Sequence, residues 1–271
     1  MPEGPECKKI AEGIAKFVSN KTLLEINILS GRYSKKIPSG FESISENLPI
    51  QVAGVGVHGK FIYWIIDKEY SVWNTLGMTG SWNTSPDKKH NRVHFKFSDG
   101  SNLFFSDQRN FGTLKFVRGK HQLIEKLNSL GPDMLSSEVK NEEFLNRLRK
   151  KDNQNICKVL MDQSVVSGVG NYVKAECLWL SKINPHLKVK DLSDIQIFDL
   201  NESIKKVLRE SYDSGGATIR TYKNFNGENG EYSQRFLVYN RKIDADGNSV
   251  SRERTPDGRT THWSPTRQKR R

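Results

Sequence analysis

Leu160-Met161-Asp162-Gln163-Ser164-Val165-Val166-Ser167-Gly168-Val169-Gly170-Asn171-Tyr172 is the stretch that decides the fold of this chain. An apolar helical run stops in a Gly-x-Gly turn and a second helix starts at Asn171. Glycine carries no Cβ, so another part of the chain or a ligand can approach closely. The unpaired N–H groups of a helix start form an anion site suited to phosphate. Alone, the pattern fits an ordinary helical hairpin equally well.

Working outward, the flanking sequence is helical over roughly 137–150, 155–164, 171–181 and 194–212. Ser193-Asp194-Ile195-Gln196 has the spacing of a capping box, and Gly215-Gly216 stops the last helix. Before Gly131-Pro132 the hydrophobic period is two, from about 23 to 117. Gly54–Asp67, Ser71–Leu76, Arg92–Phe97, Asn102–Ser106 and Thr113–Val117 are strand-like, and Asp99-Gly100 is a hairpin turn. Residues 5–19 read as a helix with Ile10, Ile14, Phe17 and Val18 on one stripe. The stretch 233–262 returns to strands, with turns at Asp246-Gly247 and Asp257-Gly258. No internal repeat is present. The fold class expected is α+β: an N-terminal antiparallel β-sandwich flanked by helices, a helical domain, and a C-terminal β-hairpin. The expected boundaries are 1–130, 131–215, 216–263 for a loop plus hairpin, and 264–271 for a basic tail.

The chain has 271 residues, with 43 Lys and Arg against 31 Asp and Glu, a formal charge of +12. Such an excess points to a polyanionic partner, nucleic acid first. Residues 241–271 hold nine basic and four acidic side chains, so +5 of the +12 lies there. Arg267-Gln268-Lys269-Arg270-Arg271 reads as a solvated tail, a nuclear address or a phosphate-binding tail. No apolar run approaches the ~20 residues that span a bilayer. The start, Met1-Pro2-Glu3-Gly4-Pro5-Glu6, does not read as a signal peptide. Cys7, Cys157 and Cys177 are widely spaced and contain no C-x-x-C pair, which argues against a disulfide framework or a cysteine zinc site. An intracellular, reduced protein is expected, nuclear if the source is eukaryotic.

Three further segments carry candidate chemistry. Methionine before proline is normally removed, which leaves Pro2 with a free secondary amine. An α-amine titrates near ~7.7–8.0, so a useful fraction is an unprotonated nucleophile at neutral pH. Its attack on a sugar aldehyde carbon gives a cationic iminium, an electron sink for elimination. Glu3 and Glu6 are close enough in sequence to exchange protons with it. Asp107-Gln108-Arg109-Asn110-Phe111-Gly112 follows a strand, so an arginine and an aromatic project together, one to bond a base and one to wedge into a stack. Pro256-Asp257-Gly258 is a tight turn that presents Arg259 at a hairpin tip, where a guanidinium suits phosphate.

Taken in order, these segments resemble the formamidopyrimidine-DNA glycosylase/endonuclease VIII (Fpg/Nei) family over nearly the whole chain. The matching features are Pro2-Glu3-Gly4-Pro5-Glu6, His58-Gly59-Lys60, Leu76-Gly77-Met78-Thr79-Gly80, Asp107–Gly112, Asp162–Glu176, Gly215-Gly216-Ala217-Thr218-Ile219-Arg220 and Arg259. The resemblance implies a helix–two-turn–helix DNA-binding domain over 131–215 and a bifunctional DNA glycosylase/AP lyase. Pro2 is then the Schiff-base nucleophile, Glu3 the general acid/base, and Lys60 a phosphate-holding assistant to the chemistry. Asn171 and Arg259 grip the phosphates flanking an extruded nucleotide. Met78, Arg109 and Phe111 fill the hole left by the flipped base. Glu6 and Glu176 are supporting carboxylates near the amine. The glycine-rich stretch 218–233 reads as a mobile loop bordering the lesion, with Arg220, Tyr222 and Lys223 as contact candidates.

Many family members end in a four-cysteine zinc finger, whereas this chain has no cysteine after residue 177. Arg235–Arg241, the Asp246-Gly247 turn and Thr255–Trp263 nevertheless read as a two-stranded hairpin, the zinc-less finger of an endonuclease VIII-like branch. No metal and no cofactor are therefore expected. By the same resemblance the substrates are oxidised pyrimidines and hydantoins in damaged DNA, the strand is nicked by β,δ-elimination, and the enzyme is a monomer with no membrane partner. The rival from another class is a non-catalytic DNA-damage sensor, which would need Pro2 or Glu3 absent or masked.

Overall fold

A computed structural model describes residues 2–67, 69–219 and 222–269. The chain divides into two compact units that interleave along the sequence. The first comprises the described residues of Met1–Pro2, Glu6–Ser129 and Gly215–Gly230. The second comprises Glu3–Pro5, Leu130–Ser214 and the described residues of Glu231–Arg271. Helix α1 (Gly4–Val18) opens the chain.

The first unit is built on eight strands: β1 (Thr22–Ile28), β2 (Ile50–His58), β3 (Phe61–Ile66), β4 (Tyr70–Thr75), β5 (Gly80–Asn83), β6 (Asn91–Phe97), β7 (Asn102–Asp107) and β8 (Thr113–Arg118). They run in the order β5-β7-β6-β1-β2-β3-β4-β8, every pair antiparallel. Only Thr22↔Gln51 and Leu23↔Ile50 join β1 to β2, next to a register shift between Val52 and Gly54. The sheet folds over at this weak seam into two four-stranded leaves. Their inner faces meet through aromatic rings: Trp64 of β3 lies 5.2 Å from Trp82 of β5 and 5.3 Å from Phe95 of β6. Burying one such side chain fully contributes about 1.5–3 kcal/mol, so the alternating residues of both leaves hold the sandwich together. Ile10, Ile14 and Val18 of α1 are buried, and Phe17 packs edge-on to Phe97 at 5.9 Å.

Gly54–Asp67 is two strands rather than one. His58↔Phe61 closes a two-residue turn in which Gly59 has φ 57°, the kind of backbone that tight hairpins assign to glycine. Two short helices, α2 (Arg32–Lys35) and α3 (Phe41–Ser45), lie in the β1–β2 connection, and α4 (Lys120–Asn128) follows β8. Only Leu123 of α4 is buried, so this helix leaves almost no apolar stripe to read.

The second unit contains α5 (Asn141–Arg149), α6 (Ile156–Met161), α7 (Asn171–Leu180) and α8 (Asp194–Asp213), then strands β9 (Ser251–Arg254) and β10 (Thr260–Trp263). The capping box forms as expected: the Gln196 N–H donates to Ser193 Oγ at 3.2 Å, and the Ser193 N–H donates to Gln196 Oε1 at 3.0 Å. Helix α7 is central, with every residue from Tyr172 to Trp179 buried, Lys174 and Glu176 included. The hairpin is shorter than the sequence pattern predicts. Its strands are β9 and β10, not Arg235–Arg241. The N–H groups of Leu237, Val238 and Tyr239 donate to the Glu176 carboxylate at 2.7–3.0 Å and are unavailable to a ladder. The segment read as a basic tail from 264 is packed as far as Gln268. That side chain is 0% exposed and donates to Ile183 O at 2.8 Å, while Asn184 donates to its carbonyl at 3.0 Å. Arg267 stacks on Trp179, 3.8 Å from the ring centroid. Arg270 and Arg271 lie outside the described residues. Among the described residues no helix is long and apolar enough to cross a membrane.

Candidate active site and nucleic-acid interface

The Gly168-Val169-Gly170 turn receives the N-terminus of the chain itself. Gly168 has φ 95°, and its carbonyl accepts the Gly4 N–H at 2.9 Å. A Cβ on Gly170 would lie 2.2 Å from Glu3 Cδ, so only glycine leaves room for that carboxyl group. The Tyr172 N–H donates to Glu3 Oε1 at 2.9 Å and the Val173 N–H to Oε2 at 3.2 Å. The helix-start anion site is therefore filled by the protein's own Glu3, and these two amides do not face a phosphate. The positive end of the α7 dipole holds a buried carboxylate in one orientation. Pro2, the next residue toward the N-terminus, is also buried.

Asn171 faces the β9–β10 hairpin. Its Nδ2 donates to Thr260 O at 3.0 Å, which ties the start of α7 to β10 one residue past Arg259. Arg259 is exposed on the β9–β10 turn and has no acidic partner among the described residues. The structure thus brings Asn171 and the Arg259 turn together within the second unit. The oxygens of Glu176 take the three N–H groups of residues 237–239, fixing the path toward the β9–β10 hairpin. Burial raises its pKa, partly opposed by those hydrogen bonds.

In the first unit Lys60 sits on the β2–β3 turn, and Cys7 of α1 donates its thiol to the Lys60 carbonyl at 3.9 Å. Glu6 accepts the Ala217 N–H at 2.7 Å, anchoring the root of the Gly215–Gly230 segment. That segment is knitted internally: Gly230 N–H donates to Thr218 Oγ1 at 2.8 Å, and Phe225 packs on Phe17 at 5.7 Å. Asn224 and Gly227 build a turn within it: the Gly227 N–H donates to Asn224 O at 3.0 Å and the Glu228 N–H to Asn224 Oδ1 at 2.9 Å. Tyr222 donates to Gly215 O at 3.4 Å, Lys223 is exposed, and Arg220 lies outside the described residues.

Met78, Arg109 and Phe111 do come together. Arg109 Nη1 lies 3.2 Å from Met78 Sδ, and its guanidinium stands 4.7 Å from the centroid of Phe111, which is 54% exposed. Solvent-facing apolar surface next to a cation suits insertion into a base stack. The sequence reading passed over what holds them. Asp107, buried at the end of β7, accepts N–H bonds from Gly112 at 2.7 Å and Arg109 at 3.2 Å and the Thr79 hydroxyl at 2.5 Å. An aspartate at the head of a polar loop was the signal for such a cage. Cys157 and Cys177 are buried inside the second unit; burial pushes the Cys157 thiol up to about 11, which keeps it protonated. Among the described residues no cluster of His, Cys, Asp and Glu is arranged to hold a metal ion.

The profile described as the formamidopyrimidine-DNA glycosylase N-terminal domain matches residues 1–114, and that of the glycosylase H2TH domain matches 130–223. The formamidopyrimidine-DNA glycosylase of Oceanobacillus iheyensis is 33% identical, over 98% of this chain and 97% of its own. The chain belongs to the formamidopyrimidine-DNA glycosylase family. Members of this family are DNA glycosylases of base excision repair with AP lyase activity. The Bacillus subtilis glycosylase is 32% identical over 89% of both chains. Crystal structures of Lactococcus lactis Fpg superimpose on the whole glycosylase fold. A variant bound to Fapy-dG containing DNA gives a TM-score of 0.88 at 26% identity, covering 99% of this chain and 100% of that one. The complex with abasic-site DNA gives 0.87 at 26% identity, covering 98% and 99%.

Proposed function

We propose that this glycosylase excises oxidised bases from DNA through Pro2 and then nicks the abasic strand. The observation that carries the reading is the buried Glu3 carboxylate, held by two helix-start amides next in sequence to the buried Pro2. With Met1 removed, the Pro2 amine attacks the sugar C1′. The glycosidic bond breaks, and the base leaves with the bonding electrons and takes up a proton; the amine gives up its proton, and the C1′–O4′ bond then opens with a proton delivered to O4′, which leaves C1′ as a cationic iminium. The iminium then acidifies C2′: loss of that proton expels the 3′ phosphate, and a second elimination expels the 5′ phosphate. Glu3 delivers and accepts these protons. Lys60, Asn171 and Arg259 bind phosphates, and Met78, Arg109 and Phe111 occupy the vacated stack. Extruding a base costs a few kcal/mol, which the inserted side chains partly offset. No cofactor takes part, and the enzyme works as a monomer inside the cell.

Borohydride should trap a covalent adduct with an abasic-site duplex, and a blocked N-terminal amine should abolish it. Adduct formation at full yield by the amine-blocked protein would overturn the role of Pro2. Glu3→Gln should lose base excision while still binding the duplex.

The Gly4-Pro5-Glu6 start and the absence of cysteines beyond 177 favour oxidised pyrimidines and hydantoins as substrates. The relatives' names and the Fapy-dG complex favour formamidopyrimidine lesions. Parallel excision rates on both lesion classes decide between them, with the pyrimidine and hydantoin duplexes expected to react faster.

A further inference from the structure

Lys174 is the most unusual charge in the molecule. Its side chain is 0% exposed in the middle of α7, and its Nζ lies 2.5 Å from Asp257 Oδ2, itself 2% exposed. Asp257 belongs to the turn that carries Arg259. Its second oxygen accepts the Thr255 hydroxyl at 2.5 Å, and Thr255 pairs through that hydroxyl with Thr261 at 2.6 Å. The Thr255 N–H donates to Arg259 O at 3.0 Å, and the Gly258 N–H to Thr255 O at 2.9 Å. On the same helix, three residues before Lys174, Asn171 donates to Thr260 O at 3.0 Å. Residues three apart share a helix face, so one turn of α7 grips the arginine hairpin on both sides of Arg259.

Stability alone gives no reason for this pair. Withdrawing two charges from water costs several kcal/mol per ion, and apolar residues of similar volume often serve as well or better. A buried ammonium with directional donors does something an apolar contact does not: it fixes the orientation of the carboxylate and, through Thr255, the backbone of the turn. Burial raises the Asp257 pKa, but hydrogen bonds from Lys174 and Thr255 outweigh it and hold the group ionised. In a finger with no cysteine of its own, these polar links from α7 fix the turn.

We propose that Lys174 and Asp257 are positioning residues that aim Arg259 at a DNA phosphate. The proposal rests on Arg259 being a phosphate contact, and the test separates the two. Binding of a duplex carrying a tetrahydrofuran abasic-site analogue is measured against salt by fluorescence anisotropy. Arg259→Ala is compared in the parent protein and in the doubly apolar background Lys174→Met/Asp257→Leu, which leaves no lone buried charge. In the parent, Arg259→Ala should weaken binding roughly tenfold and reduce the log–log salt slope by about 0.9. In the apolar background it should change affinity less than twofold and leave the slope alone. Lys174→Gln/Asp257→Asn, which keeps the approximate shape and removes both charges, provides the same comparison if the doubly apolar protein fails to fold. Equal losses in both backgrounds would refute the positioning role while leaving the Arg259 contact standing. No loss in the parent would refute the contact itself.

Discussion

At Gly170 a single hydrogen atom in place of a methyl group decides whether the Glu3 carboxyl group can reach the start of α7. A Cβ would sit 2.2 Å from Glu3 Cδ, inside any allowed separation, and the obstacle is the carboxyl end that the amides of Tyr172 and Val173 hold in place. Gly170→Ala should therefore displace Glu3 from the helix start. Overpacking of this kind costs about 1–3 kcal/mol, so the thermal midpoint should fall. Excision should fall well beyond what the stability loss explains, because the misplaced group is the proposed acid/base. Retained excision at the parent rate would show that Glu3 acts from another position. The residue identity was legible as a glycine needed for close approach. The sequence did not reveal that the approaching group is Glu3 and not a phosphate, because the two lie 167 positions apart in the chain.

Among the elements, β10 carries a buried histidine whose ring nitrogens have no hydrogen-bond partner among the described residues. His262 packs on Tyr239 with ring centroids 4.8 Å apart. Burial, with the positive charges of Arg252 and Lys174, lowers its pKa from 6.5 to about 4. Between those values the unfolded chain binds a proton that the folded chain refuses. Stability is thus complete above pH 6.5 and declines as pH falls toward 4, by on the order of 2–3 kcal/mol for this group. His262→Phe should flatten that decline and match or exceed the parent at pH 7.5, since it removes two buried unpaired nitrogens. Denaturant melts at pH 4.5 and 7.5 measure it; an unchanged pH dependence would assign the decline to other groups. The β9–β10 ends were harder to read than the helices for a related reason. The apolar run Phe236-Leu237-Val238-Tyr239 reads as a strand, but Glu176 captures the backbone donors there, and a sequence pattern does not show who owns an N–H.

For the whole molecule, the +12 charge sets how DNA is approached. Each phosphate neutralised contributes about −0.9 to the slope of log affinity against log salt. Lys60 and Arg259 alone would give about −1.8, and each further surface cation that reaches the backbone steepens it. Lys60→Ala should accordingly lower the slope by about 0.9 on undamaged as well as damaged duplex, because a phosphate contact carries no sequence or lesion information. An affinity loss confined to damaged DNA would instead place Lys60 at the lesion chemistry alone. Part of the basic C-terminal sequence is already committed inside the protein: Arg267 is stacked on Trp179 and ion-paired with Asp246.

The sequence by itself determined the α+β class, strands β4, β6, β7 and β8 of the sandwich, helices α5 to α8 and the family, because these depend on local periodicity, caps and turn residues. It also named Met78, Arg109 and Phe111, which the fold does bring together, and Asn171 and Arg259, which meet through Thr260. Only the tertiary structure decided who occupies the α7 N-terminus, what Glu176 holds, why Arg267 and Gln268 are packed, and that Lys174 meets Asp257. Each of these is a hydrogen bond or ion pair between residues far apart in the chain. Periodicity records which face of an element is apolar, and it carries no record of which distant donor meets which acceptor.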